Sequence, residues 1–303
     1  MKEITIVIPY YNRESYLRRT LNFIAQCRWR PLHLVLVDNG STDGSKKVCE
    51  DFATRYRSSL FDIVLAEEPR KGAAAARNRG LTLCQTEFVY FFDSDDEFDA
   101  SFLPTVVPLL TEGLDLLAVT TRQVERGKTM VRAYRKTSSP KAQVLVSHLN
   151  TASMVIRTDY LRRIGGWNES LATWDDWELG LRLLLNKPRM RWKTDTPFHY
   201  AYIHSESQTG ADFSARIAAI RQAMQVAVEE SGRSLSKALY FRMEILTGNL
   251  LKERNKAEAD TNKKLIRQWF VDESVWTKTI GRLLRFYVSK GGRGAWRLAY
   301  LFC

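Results

Sequence analysis

Phe88-Val89-Tyr90-Phe91-Phe92-Asp93-Ser94-Asp95-Asp96 is an unbroken apolar run that ends in three carboxylates within four positions. So short a stretch of aromatic and β-branched residues reads as a strand buried on both faces, the pattern of a parallel sheet covered by helices. Acids at the carboxyl end of such a strand stand where open α/β sheets hold ligands, and clustered hard oxygens there suit a divalent cation. The run points to chemistry on a metal-bound phosphate compound. Asp96 also fits a plainer role, as the N-cap of a helix expected near 99–111.

Outward from this run the same alternation repeats. Strand-like segments at 3–9, 32–38, 61–66, 87–92 and 114–120 are separated by helical patterns near 14–28, 43–57, 72–84 and 99–111. This order predicts an α/β fold, a Rossmann-like and mostly parallel sheet flanked by helices. Residues 121–148 are basic and poorly periodic, and read as an inserted loop or hairpin. Beyond 150 the pattern is mixed, with strands near 152–156, 190–193 and 198–203 and a helix from about Trp174 to Leu185. After about 210 only helix-friendly segments follow. The division expected is therefore 1–210 as the α/β domain and 211–303 as a basic α-helical extension.

The net charge of +12 is uneven: residues 211–303 hold 17 Lys and Arg against 9 Asp and Glu, so most of the excess lies in the extension. Such a segment suits an anionic membrane surface or nucleic acid, or is a solvated helical face. Cys27, Cys49, Cys84 and Cys303 have no metal-like spacing, which fits reduced cytosolic thiols. The start of the chain enters a strand directly, and no apolar run reaches the ~18 residues of a membrane span. A cytoplasmic protein, at most peripheral on the inner face of the plasma membrane, is expected.

Strand one ends in Pro9-Tyr10-Tyr11-Asn12-Arg13 and strand two in Asp38-Asn39-Gly40-Ser41-Thr42-Asp43-Gly44. In a doubly wound sheet these ends converge on one crevice, where Asp38 can accept from a base N–H and Tyr11 offers a stacking or edge surface. A tight turn with a Ser41/Thr42/Asp43 helix cap explains the second motif equally well. Arg70-Lys71-Gly72-Ala73-Ala74-Ala75-Ala76-Arg77-Asn78-Arg79-Gly80 combines small residues with four bases. Its small side chains permit close approach of a ligand to a helix start, with Lys71 and Arg77 able to neutralise phosphate. Alanine-rich helix packing is the alternative, and the spacing is not that of a P-loop.

Taken in order, these blocks resemble family 2 glycosyltransferases of the GT-A fold. The resemblance runs through Val7-Ile8-Pro9-Tyr10-Tyr11-Asn12, Val37-Asp38-Asn39-Gly40-Ser41-Thr42-Asp43, Ala76-Arg77-Asn78-Arg79-Gly80 and Phe92-Asp93-Ser94-Asp95-Asp96. It continues in Gly165-Gly166-Trp167-Asn168-Glu169, Asp175-Asp176-Trp177-Glu178-Leu179 and Ile203-His204-Ser205-Glu206-Ser207. It implies an inverting transferase that uses a nucleotide-sugar donor, most simply a UDP-sugar, with Mn²⁺ or Mg²⁺. By position, Pro9, Tyr11 and Asp38 line the base pocket, Arg77 supports the nucleotide, and Asp93 and Ser94 face ribose and phosphate. Asp95 binds the metal, His204 adds a ligand to it, and Asp176 is the base that deprotonates the acceptor hydroxyl. The chain reads Asp175-Asp176 where relatives usually read Glu-Asp, and Arg70-Lys71-Gly72 where many have Asn before the glycine.

The implied acceptor is a glycan or lipid-linked hydroxyl, in the synthesis of a bacterial surface polysaccharide. Trp167, Trp174 and Trp177 flank the catalytic block and suit either a sugar platform or packing, with packing expected for at least two. From Ser274 to Cys303 six bases and no acid are interleaved with large apolar residues, and Ile280, Leu283, Leu284, Tyr287 and Val288 share one flank in helical projection. Peripheral contact with an anionic membrane through 274–303, or packing on the protein, follows from that pattern. Two other functions compete. A nucleotidyltransferase lacks support because no glycine-rich loop follows the first strand, and a nucleic-acid-binding module lacks a recognisable motif beside the charge.

Overall fold

A computed structural model of the chain describes residues 2–125, 127–131, 136–195, 199–203 and 213–303. Among them β1 (Ile4–Tyr10), β2 (Leu32–Asp38), β3 (Phe61–Glu67) and β4 (Phe88–Phe91) are the expected strands, largely buried except at the edge strand β3. α1 (Glu14–Gln26), α2 (Ser45–Tyr56) and α3 (Ala73–Leu83) connect them. β5 (Glu97–Phe98) and a short α4 (Phe102–Val106) follow, then β6 (Leu116–Val119), a β7 (Thr121–Glu125) and β8 (Lys128–Val131) hairpin, and α5 (Pro140–Val146). β9 (Met154–Arg157), α6 (Thr158–Arg163), α7 (Asp175–Leu185), β10 (Met190–Lys193) and β11 (His199–Ile203) complete the α/β part. The main sheet runs β10-β6-β9-β4-β1-β2-β3, with β9 antiparallel to both its neighbours and the other pairs parallel. A second sheet, β5-β11-β7-β8, lies beyond the acidic end of β4.

Side-chain alternation along β1 explains why the sheet is covered twice. Ile4, Ile6 and Ile8 enter one core with Leu17, Leu21 and Ile24 of α1, whereas Val7 enters the other with Ala74, Ala76 and Leu81 of α3. On the second face the approach is unusually close. A Cβ on Gly80 would sit 2.2 Å from Cγ1 of Val7, so the small residues of this helix serve its packing on β1.

The helix expected over 99–111 is shorter. It begins at Phe102 and gives way to a 3-10 turn at Val107–Leu109, because Pro108 has no N–H to continue the ladder and its ring clashes with the preceding turn. Asp96 is not its N-cap: Asp99 accepts the Ser101 N–H at 2.9 Å, and Asp96 is buried elsewhere.

Beyond 212 come α8 (Phe213–Ser231), α9 (Ser236–Lys252), α10 (Lys256–Trp269), α11 (Val275–Ser289) and α12 (Ala295–Phe302). They share a core with the α/β part, since Val144 and Leu145 of α5 and Trp177 and Leu181 of α7 pack with Ile220, Met224, Leu239 and Phe241. Each large apolar side chain buried there contributes about 2 kcal/mol. α9 and α11 meet through a glycine on each: a Cβ on Gly248 would lie 2.7 Å from Val288, and one on Gly281 would lie 2.4 Å from Tyr240. No helix among the described residues is long and apolar enough to cross a membrane.

Candidate active site

The carboxyl ends of β1, β2 and β3 are laced together by short polar side chains. Asn12, which takes a left-handed φ of 50°, accepts the Thr42 N–H at 2.8 Å, and its own N–H donates to Ser41 at 3.1 Å. Asp38 is buried and accepts the Ser41 N–H at 3.0 Å. Asn39 donates to the carbonyls of Glu68 and Arg70, and accepts the Gly72 N–H at 2.9 Å. Tyr11 stands out from this rim, 47 % exposed.

The acidic loop after β4 is held from below by α1. Thr20 Oγ1 lies 3.0 Å from the carbonyls of both Ser94 and Asp96, and Arg19 donates to the carbonyl of Asp95 at 2.9 Å. With its backbone fixed, the loop sends its three acids in different directions. Asp93 receives Nη2 of Arg77 at 2.8 Å, and the same guanidinium gives Nη1 to Asp175 at 2.7 Å. Asp95 is half-buried and faces the cavity described below. Asp96 turns inward, with Oδ2 2.8 Å from Nε2 of His199 and Oδ1 accepting the Tyr202 N–H at 3.0 Å.

These contacts set the charges. Burial works against the charge on Arg77, but Asp175 and Asp93 outweigh it and raise its pKa. Its guanidinium also lies 4.5 Å over the ring of Trp167. Burial pushes Asp175 up, against the pull of Arg77. Asp96 is pushed up to about 6 by burial, opposed by His199.

Asp175 and Asp176 open α7, where the helix dipole favours acids. The residue before them, Trp174, has a left-handed φ of 61°, which costs a bulky side chain about 1–2 kcal/mol. Its ring is fixed by the guanidinium of Arg242 at 4.9 Å and by the ring of Trp177 at 5.2 Å. Trp177 is in turn anchored on α5, donating Nε1–H to the carbonyl of Gln143 at 3.1 Å. Trp167 is thus a packing residue, Trp177 is buried but also borders the cavity, and Trp174 reaches the cavity wall.

One cavity of about 590 Å³ unites these parts: Pro9, Tyr11, Arg77, Asp93, Ser94, Asp95 and Asp176 all line it. Asp38 and Lys71 are not in its wall; Asp38 lies beneath the rim, and Lys71 is exposed beside the start of α3. His204 lies outside the described residues. The opposite wall comes from the helices, with Phe213 and Arg216 of α8 and Arg242, Ile245, Leu246 and Asn249 of α9. The α9 residues fall at i, i+3, i+4 and i+7, a pattern visible in sequence but uninterpretable without knowing what that helix faces. The Asp96–His199 pair also escaped the sequence reading, because a third acid after a strand looks like a cap.

Among the described residues no three His, Cys, Asp or Glu side chains converge into a metal cage. Asp95, one of the carboxylates lining the cavity, nonetheless fits Mg²⁺ or Mn²⁺ in phosphate chemistry, where one or two protein carboxylates serve and substrate phosphates supply further oxygens.

A mostly parallel sheet carrying such an acidic loop, with a second acidic pair opening a helix across the cavity, has the architecture of GT-A glycosyltransferases. The model of the family described as glycosyl transferase family 2 matches residues 5–167, and the chain belongs to that family. The chain is 30 % identical over 204 residues to a pre-mycofactocin glycosyltransferase of Mycobacterium tuberculosis, covering 63 % of this chain and 41 % of the relative. It is 28 % identical over 194 residues to a teichoic acid poly(glycerol phosphate) polymerase of Staphylococcus epidermidis, covering 61 % and 26 %. It spans less than half the length of either. The fold matches that of S. aureus TarS 1–349 in complex with UDP-GlcNAc, with a TM-score of 0.74, 18 % identity and coverage of 99 % of this chain and 90 % of that one. A mannosyltransferase of Pyrobaculum calidifontis in complex with GDP-Man and Mn²⁺ matches with a TM-score of 0.60, 16 % identity and coverage of 97 % and 82 %.

Proposed function

We propose that this glycosyltransferase transfers a sugar, with inversion, from a nucleotide-sugar to a hydroxyl of a glycan or lipid-linked acceptor in bacterial surface polysaccharide synthesis. A UDP-sugar is the donor that the family resemblance favours, with Tyr11 at the rim and Asp38 just beneath it. The observation that carries the reading is the placing of Asp95 and Asp176 on one cavity, beside Pro9 and Tyr11.

In the mechanism, Asp176 takes the proton of the acceptor hydroxyl. The oxygen bonds to the anomeric carbon from the face opposite the leaving group, and the bond from that carbon to the diphosphate oxygen breaks with its electron pair. The nucleoside diphosphate departs and the configuration inverts. Asp95, with His204 by family resemblance, would hold a divalent cation, which when bound neutralises charge on the diphosphate. Arg77 acts one step back: its ion pairs fix Asp93 and Asp175 beside Asp176.

A thermal-shift panel of UDP-, GDP-, dTDP- and CMP-sugars, with and without Mn²⁺, tests the proposal. Stabilisation by a UDP-sugar that depends on the metal is expected. No response to any nucleotide-sugar would overturn it.

A further inference from the structure

We infer that the outer face of α11 and α12 is a docking surface for an anionic lipid bilayer. α11 is apolar on two sides. Ile280, Leu284 and Val288 pack into the protein, but the adjoining side, continuing round to Phe286, keeps Trp276 at 67 %, Leu283 and Phe286 at 62 %, and half-exposed Tyr287. The flank expected from sequence is therefore split, with Leu283 and Tyr287 outside. α12 extends the surface with Leu298, Leu301 at 77 % and Phe302. Nine of the large hydrophobic side chains exposed among the described residues lie between Val271 and Phe302, a concentration that scattered surface residues do not produce.

Charge selects the occupant. Between Ser274 and Cys303 there is no acid, and the bases are arranged around the apolar side chains. Arg285 is used internally, donating to buried Glu244 at 3.1 Å. The rest remain at the surface: exposed Arg282 and Lys290 border the α11 face, with Lys290 5.7 Å over the ring of Phe286, and Arg293 and Arg297 accompany α12. Aromatic and aliphatic side chains set among cations, on a helix whose other side is anchored, match the boundary between acyl chains and anionic headgroups. A protein partner seated on so apolar a face would leave these cations needing acids of its own, whereas a phosphatidylglycerol-type surface supplies both complements.

The position of α9 gives the docking a purpose. Its Tyr240, Glu244 and Gly248 meet α11, while its Arg242, Ile245, Leu246 and Asn249 form the cavity wall on roughly the opposite side. The cavity wall thus stands about two helix diameters, on the order of 20 Å, from a bilayer under α11. The transferase reading is needed only for this last point, the access of a lipid-linked acceptor.

Sedimentation with vesicles tests the assignment. Mixed phosphatidylglycerol and phosphatidylcholine vesicles should carry the chain down, and phosphatidylcholine alone should leave it in solution. Leu283→Glu with Phe286→Glu should abolish binding, and Arg282→Glu with Lys290→Glu should weaken it about tenfold or more. Both pairs are exposed, so an unchanged melting temperature without lipid should show that each variant folds. Wild-type protein that stays in solution with both vesicle types, or either variant binding as wild type, overturns the assignment. So does a concentration-dependent dimer without lipid that the Leu283/Phe286 variant disperses, since a second copy would then occupy the face. Failure of the donor reading is distinct: nucleotide-sugars would give no stabilisation while vesicle binding persisted.

Discussion

Nε2 of His199 lies 2.8 Å from Oδ2 of Asp96, joining the acidic loop of β4 to β11 of the second sheet. Both residues are buried. Tyr90 donates its hydroxyl to the carbonyl of Ala152 at 2.8 Å, so His199 Nδ1, 2.5 Å from that hydroxyl, must carry a proton and donate it. Its Nε2 is then the atom that meets the Asp96 carboxyl. A chain of this kind fixes where the loop leaves the strand, and so where Asp95 points.

Breaking that chain should be costly. His199→Ala leaves the Asp96 carboxylate buried without its ring partner, and a loss of about 3 kcal/mol in urea unfolding is expected. Donor affinity should fall with it, because the loop that carries Asp95 loses its anchor. A variant within about 1 kcal/mol of wild type would show that the Tyr202 N–H and the Thr20 hydroxyl hold the loop unaided.

Asp176 and Asp95 should fail in different ways. Asp176→Asn keeps the volume and removes the base, so turnover should fall by roughly 10²–10⁴ while donor-induced stabilisation is retained. Asp95→Ala should weaken donor binding itself. Turnover of the Asn variant near the wild-type rate would place the base elsewhere, and unchanged donor affinity in the Ala variant would remove Asp95 from the diphosphate side.

The parallel strands were legible because each is a short apolar run closed by turn residues, and β2 begins and ends where its sequence does, at Leu32 and Asp38. The crevice between the ends of β1 and β2 followed from their pairing, which sets Tyr10 opposite Asp38. Long-range placement was not legible. Nothing local to His199 says that it will meet Asp96, and helical projection cannot tell which part of a broad apolar arc on α11 is buried. The Arg77 motif was ambiguous for a related reason: a base beside small residues suits a phosphate, and nothing local says that it also meets Asp93 and Asp175, 16 and 98 residues away.

Gly80 makes the packing argument testable. Gly80→Ala places a methyl 2.2 Å from Val7 Cγ1, so α3 must move off β1 or Val7 must shift, at a cost of about 1–3 kcal/mol. Arg77 rides on the same helix, and the displacement should lower donor affinity too. Val7→Ala in the same chain reopens the space, so the double variant should be more stable than the sum of the two single losses predicts, as read from a double-mutant cycle in urea. Simple additivity would mean that the contact does not limit the approach of the helix.

Glu230 of α8 should give the stability a pH dependence away from the cavity. Burial and then neighbouring Glu178 push its pKa from 4.5 to about 7, although Arg182, 3.7 Å away, pulls it down. An acid with a raised folded-state pKa takes up a proton on folding between those two values. Its effect is therefore neutral below about pH 4.5, becomes increasingly unfavourable as pH rises through the window to about 7, and is then constant. Glu230→Gln removes the charge but keeps the shape, so the variant should gain about 1 kcal/mol over wild type at pH 8, after allowance for solvent screening of a partly exposed group. At pH 4.5 the two should melt together. The measurement is the difference in melting temperature across this range; a variant less stable than wild type at pH 8 would mean that the attraction of Arg182 outweighs both burial and Glu178.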